Sequence, residues 1–278
     1  MKNLYWILFI LFAVLFFLNK FKKTSNDPFE SNINVEIFKA LNDTTKAKNG
    51  LGDNSSNIKI MEDGKRFSEK QIQYYMKINP DGKTLDYVAY WSFDKNKPVT
   101  ASAFGTDYLH HFVNNYLVGY EPFKTEQLWI PHYTIAMRLK YQLDADQYGG
   151  LKEVWQNSKQ AFFNTRGDCE DHAIILADWL ISMGLDARVV LGKFDNGGHA
   201  WVVVFKDSKV FLLEATSKQK RKQWNLYPLA DFQTKYHPKC MFNRDYFWLN
   251  IGSIYTTRYI GNHWVKKSKF FRTRNKDS

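Results

Sequence analysis

Residues 169–216 leave few folds open to this chain. CEDHAIILADWLISMGL (169–185) begins on acids and closes on Gly184, which predicts a helix with a negative start and a glycine stop. Three strand candidates follow: ARVVLGKF (187–194), HAWVVVFK (199–206) and KVFLLEAT (209–216). Their connections, Asp195-Asn196-Gly197-Gly198 and Asp207-Ser208, are short and carry turn residues, so the strands pair antiparallel. One helix followed by a meander is an α+β arrangement, not a doubly wound one. Ala173, Ala177, Leu180 and Ile181 share a helix face with Cys169, small near the cysteine and bulkier beyond it. A helix patterned this way packs closely on a sheet and holds its first residue at the edge.

That arrangement brings three reactive side chains together. An antiparallel pair closed by Asp207-Ser208 sets residue 199 near 216 and residue 201 near 214, so the Glu214 carboxylate falls beside His199. The helix brings Cys169 to the histidine from the other side. Cys169 is then the candidate nucleophile, His199 the base that takes the thiol proton, and Glu214 the group that orients the ring. Singly, each has a plainer reading: a small buried thiol, a structural histidine, a solvated strand-end acid. Their order and placement favour the catalytic one.

The same residues carry a resemblance. Gly167-Asp168-Cys169-Glu170-Asp171, Gly198-His199-Ala200-Trp201 and Leu213-Glu214-Ala215-Thr216 resemble the three blocks of the transglutaminase-like superfamily, a branch of the papain-like fold. The nearest likeness is to the bacterial transglutaminase-like cysteine peptidases. GLDARVVLG (184–192) matches the stretch after the nucleophile helix, and DADQYGGLKEVWQNSKQAFFNTRGDCED resembles the approach to it, with Trp155 and a short helix before the cysteine. The likeness covers roughly residues 125–216. It implies a thiol hydrolase that cleaves a peptide or isopeptide bond through an acyl-enzyme, acting on a protein or peptide. Amine acyl transfer by the same site, and a non-catalytic binding module, are the alternatives. In one respect the chain departs from the pattern: Glu214 stands where the family has Asp.

Two readings of the acids beside Cys169 stand. In the first, Asp168 caps the helix while Glu170 and Asp171 occupy its first turn, where the dipole favours negative charge. In the second, which the resemblance implies, Asp168 and Glu170 hold calcium; no other cofactor is expected. Two carboxylates alone fall short of the six to eight oxygens calcium takes. For the oxyanion, the Cys169 backbone N–H is a candidate donor, with Trp155 or Gln156 assisting. His237 and Cys240 lie close in sequence but lack a second ligand pair, so Cys240 reads as core.

Residues 4–18, LYWILFILFAVLFFL, form an unbroken apolar run of fifteen flanked by Lys2 and by Lys20, Lys22 and Lys23. As a helix it is roughly 22 Å long, short for a bilayer core of about 30 Å, and snorkelling lysines close the gap. No small residues follow to mark a cleavage site, so the run predicts an N-terminal transmembrane helix (residues 1–23) that anchors a single-pass membrane protein. Residues 24–65 read as a polar linker and 66–278 as the folded hydrolase domain, its core motifs at 144–216. The chain carries a formal charge of +11, part of it in HWVKKSKFFRTRNKDS (263–278). That segment reads as a solvated end or as attraction to an anionic lipid surface. No recognition motif accompanies the charge, so no nucleic-acid partner is expected.

Overall fold

The structure is a computed structural model that describes residues 56–78, 88–93 and 97–273, all in the unit Ala47–Ser278. Strands β1 (Asn57–Ile60) and β2 (Arg66–Ser68) and helix α1 (Glu69–Ile78) come first. A small antiparallel sheet follows, made of β3 (Ala89–Trp91), β4 (Thr100–Phe104) and β5 (His110–Phe112). Helix α2 (Ile130–Arg138), strand β6 (Lys140–Tyr141), α3 (Asp144–Gln147), α4 (Ser158–Asn164) and β7 (Arg166–Gly167) lead to α5 (Cys169–Ser182). The rest is β8 (Asp186–Phe194), β9 (Gly197–Lys206), β10 (Lys209–Leu213), β11 (Tyr236–Phe242), β12 (Tyr246–Asn250) and β13 (Trp264–Phe271).

The expected helix-and-meander unit is present. Leu180, at the last turn of α5, accepts a hydrogen bond from the Leu185 N–H at 3.1 Å while Gly184 takes φ +87, the left-handed stop that glycine permits. The hairpin between β9 and β10 turns on Asp207 (φ 51) and Ser208 (φ 58), two left-handed residues as a type I′ turn requires. Its register, Lys206↔Lys209 through Val202↔Leu213, is the one the sequence predicts. The β8–β9 connection is tighter than expected, because Phe194 pairs with Gly197 and only Asp195-Asn196 turn. Helix α5 packs on β8 and β9. On the sheet's other face Val190, Trp201, Val203, Met241 and Trp248 form a second core. Gly192 in β8 lets the sheet close there: a Cβ would lie 2.2 Å from the His237 carbonyl oxygen and 2.7 Å from Trp201.

An anchor at mid-helix ties α5 to its surroundings. The Asp178 carboxylate is fully buried and accepts hydrogen bonds from the Gly119 and Tyr120 N–H groups, from Ser158 Oγ, and from Arg244 Nε at 2.6 Å. Arg244 also donates to the Asp178 carbonyl and to Ser182.

The eight-stranded sheet, ordered β10-β9-β8-β11-β12-β13-β1-β2, is antiparallel throughout and larger than the meander. Two boundaries shift as a result. The folded body begins before residue 66, because Ile58 and Ile60 alternate into the core as β1 pairs with β13. The basic segment near the C-terminus is not a solvated end: Lys266, Lys267 and Lys269 lie on β13, where Ser268 and Phe270 are buried. Lys266 and Lys269 instead cap aromatic rings, Lys266 Nζ lying 3.8 Å from the Tyr246 ring centre.

The expectation of a transmembrane helix is corrected. No helix among the described residues is long and apolar enough to cross a membrane. The longest, α5, has 14 residues and so spans about 21 Å. The run at 4–18, the proposed anchor 1–23 and linker residues 24–55 lie outside the described residues.

Candidate active site

Cys169 and His199 line one cleft, and Glu214 lies against His199 behind it. Cys169 opens α5, His199 lies near the start of β9, and Glu214 follows the last residue of β10. Cys169 and His199 both line an open cleft of about 930 Å³. His199 Nε2 lies 2.9 Å from Glu214 Oε2, and the Ala200 backbone next to the histidine hydrogen-bonds the Cys169 sulfur. Burial alone would raise the Glu214 carboxyl. The hydrogen bond and charge of His199, with Thr216 and Tyr236, outweigh it and bring the group to about 2.

Every oxygen of that carboxylate is held. Oε1 accepts from the Thr216 N–H at 3.1 Å and from Thr216 Oγ1 at 2.6 Å, while Oε2 accepts from Tyr236 Oη at 2.8 Å as well as facing His199. Two further histidines, neither singled out by the sequence, fix the backbone beneath it. His132 Nε2 lies 2.9 Å from the Glu214 carbonyl and its Nδ1 2.9 Å from Tyr227 Oη; His172 Nδ1 lies 3.3 Å from the Ala215 carbonyl. Burial brings both rings down to about 4. A neutral His132 that donates to the carbonyl through Nε2 accepts a hydrogen bond from the Tyr227 hydroxyl at Nδ1.

Glu170 and Asp171 lie in the first turn of α5 as expected, but the expected Asp168 cap does not form. Asp168, the residue before α5, makes no side-chain cap bond. Its carboxylate turns instead toward Asp144, Glu170 and Asp171, and one oxygen from each of the four lies within 4.8 Å of the others. All four are buried. Asp171 is satisfied by Gln156, whose backbone N–H and Nε2 donate to its two oxygens at 2.8 and 2.6 Å. Asp144, Asp168 and Glu170 each keep one buried oxygen without a partner. Such orphaned carboxylate oxygens fit a hard cation. Asp144 is the member sequence reasoning missed, since it lies far from the cysteine in the chain.

This cluster governs the thiol. Cys169 Sγ donates to Glu170 Oε2 at 3.4 Å, and no hydrogen bond joins it to His199 in this arrangement of the described residues. Burial, then the Asp168 charge, push the thiol up to about 12. The candidate oxyanion helpers are committed elsewhere: Trp155 Nε1 donates to Glu153 at 2.8 Å, and Gln156 Nε2 to the Arg166 carbonyl and Asp171. Tyr141 does line the cleft beside Cys169. Cys240 is fully buried in β11.

Opposed titrations set the pH response. His132 and His172 titrate near 4 when folded, against 6.5 ordinarily, so the unfolded chain binds protons the folded one refuses. Stability therefore falls as pH drops from about 6.5 to 4. Asp144, raised by burial and by Asp168 to about 8, and Glu153, raised by burial to about 7, keep protons that the unfolded chain releases. Their contribution is full below about 4 and is lost as pH rises toward 8. Melting temperatures should peak between these limits, and Asp144→Asn should flatten the alkaline decline. An alkaline limb as steep in Asp144→Asn as in wild type would contradict this assignment.

Known proteins match the segment that carries the site. Residues 153–267 match the family described as the CEP76 peptidase-like domain, less than half of the chain but including Cys169, His199 and Glu214. The segment is similar to a peptidase-like domain. "Centrosomal protein of 76 kDa" of Danio rerio is 42% identical over 57 residues, covering 20% of this chain and 9% of that protein. Its Homo sapiens counterpart is 41% identical over 56 residues, covering 20% and 8%. The matched stretch thus spans under a tenth of those relatives. Among solved structures, calcium-bound Legionella pneumophila LapG is similar at 19% identity and TM-score 0.37, covering 49% of this chain and 74% of LapG. A likeness that low carries no chemistry across. The expected membrane localisation rested on that helix and is corrected with it: no helix among the described residues is long and apolar enough to cross a bilayer.

Proposed function

We propose that the chain is a transglutaminase-like cysteine peptidase that cleaves a peptide or isopeptide bond through an acyl-enzyme. The observation that carries this reading is the 2.9 Å contact between His199 Nε2 and Glu214 Oε2 at the edge of a cleft shared with Cys169. It leaves Nδ1 of the imidazole for the thiol proton. Cys169 gives that proton to His199 and its sulfur bonds to the substrate carbonyl carbon; His199 then passes the proton to the leaving amine as the C–N bond breaks. Water, deprotonated by the same histidine, cleaves the thioester and restores the thiol. Glu214 stays ionised throughout and steadies the imidazolium. The test is alkylation of Cys169 by iodoacetamide in wild type and His199→Ala; a rate independent of His199 would sink the reading.

Calcium is part of the proposal. Asp144, Asp168 and Glu170 would hold it, and its charge would offset the carboxylates that now keep the thiol protonated. Because the ion competes with protons for these groups, its effect should grow with pH. At a hundredfold excess over its dissociation constant the stabilisation is about 2.7 kcal/mol, which raises Tm by roughly 5–10 °C in a domain of this size. Melting curves with calcium chloride and with EGTA at pH 5 and 8 should show a larger rise at pH 8. No rise at either pH would remove the metal.

A further inference from the structure

Glu214 poses a problem that its surroundings answer. A glutamate carries one more rotatable bond than the aspartate of the family pattern, so its carboxylate has more positions to wander among. Thr216 fixes one oxygen from within the same loop. The second oxygen is met from a distant strand: Tyr236, the first residue of β11, donates its hydroxyl to Oε2 at 2.8 Å, the same atom that faces His199.

We propose that Tyr236 is a positioning residue for the catalytic pair, holding the Glu214 carboxylate at the angle from which it orients His199; this rests on the peptidase reading above. The tyrosine ring is itself immobilised. It is 9% exposed, packs against Phe194 with ring centres 4.6 Å apart, and meets Trp201 edge-on at 5.1 Å. The His199 ring lies 6.4 Å from it and stacks near Trp201. Those contacts belong to the ring alone, and a phenylalanine would keep them. The hydroxyl's recorded partner is Glu214, and burial beside that carboxylate keeps it protonated and donating. With both oxygens pinned, the longer arm of Glu214 is as fixed as a shorter one.

A double-mutant cycle on the full chain tests this, with iodoacetamide as the probe of Cys169 and calcium chloride present throughout. Tyr236→Phe should slow alkylation about tenfold, the scale of one charge-assisted hydrogen bond, while its melting curve stays close to wild type. In a Glu214→Ala background the same substitution should change nothing, because the hydroxyl then has no carboxylate to hold. A structural role would slow both backgrounds alike. Equal slowing in both, or wild-type speed in Tyr236→Phe, overturns the proposal alone. A wild-type rate indifferent to His199→Ala overturns the peptidase reading and takes this proposal with it.

Discussion

His199→Ala should slow alkylation of Cys169 by roughly 10²–10⁴-fold near neutral pH, the range of a lost general base. The size of the effect follows from the thiol's surroundings. Burial and Asp168 push it up to about 12, so without a base to take its proton only a trace is thiolate at neutral pH. Wild type should therefore react in a pH range where the variant is nearly silent, and the variant should recover as the solution becomes strongly alkaline. Cys169→Ser should take up no label at the site. The measurement is clean because Cys240, the other cysteine, is fully buried. Equal rates in wild type and variant would leave the cleft without a nucleophile, and the non-catalytic alternative would replace the peptidase.

The second large effect is on stability. Asp178→Ala should cost about 3–5 kcal/mol, the scale of breaking a buried ion pair by removing one partner. Four donors converge on that carboxylate, from the 119–120 backbone, from Ser158 on α4 and from Arg244 between β11 and β12. All four lose their acceptor at once, and Arg244 is left with an uncompensated charge against the helix. A loss of that size lowers Tm by roughly 6–20 °C for a domain of 150–250 residues. Asp178→Asn should cost less, since the amide oxygen still accepts. Urea midpoints at constant slope are the measurement; a loss under about 1 kcal/mol would mean the network is solvated in solution. Because Asp178 lies on the helix that begins with Cys169, a loosened anchor also blurs where the thiol sits.

The helix and meander were legible in the residues because local signals agree there: acids at one end, glycine at the other, and turn residues at both hairpins. The 199–214 proximity followed from turn length alone. The acid cluster was legible only in half. Asp168 and Glu170 flank the cysteine, but Asp144 reaches them through the fold, and a cap was the natural reading of an acid before a helix. Tyr236 had no local signal at all; its strand is ordinary and its partner lies across the sheet. The linker boundary failed for a similar reason, since Asn57–Ile60 is too short to announce a strand and becomes one by pairing with Trp264–Phe271.

That last pairing has a consequence for synthesis. As the chain emerges in order, the hairpins of β8, β9 and β10 can close at once from neighbouring residues. The first two strands can pair with each other, but that hairpin cannot join the large sheet until residues 264–271 leave the ribosome, and only then does the sheet acquire its far edge. A nascent chain stalled before that point holds the 169–213 helix and meander beside a β1–β2 hairpin whose outer edge has no partner. An open strand edge of that kind invites aggregation and chaperone binding.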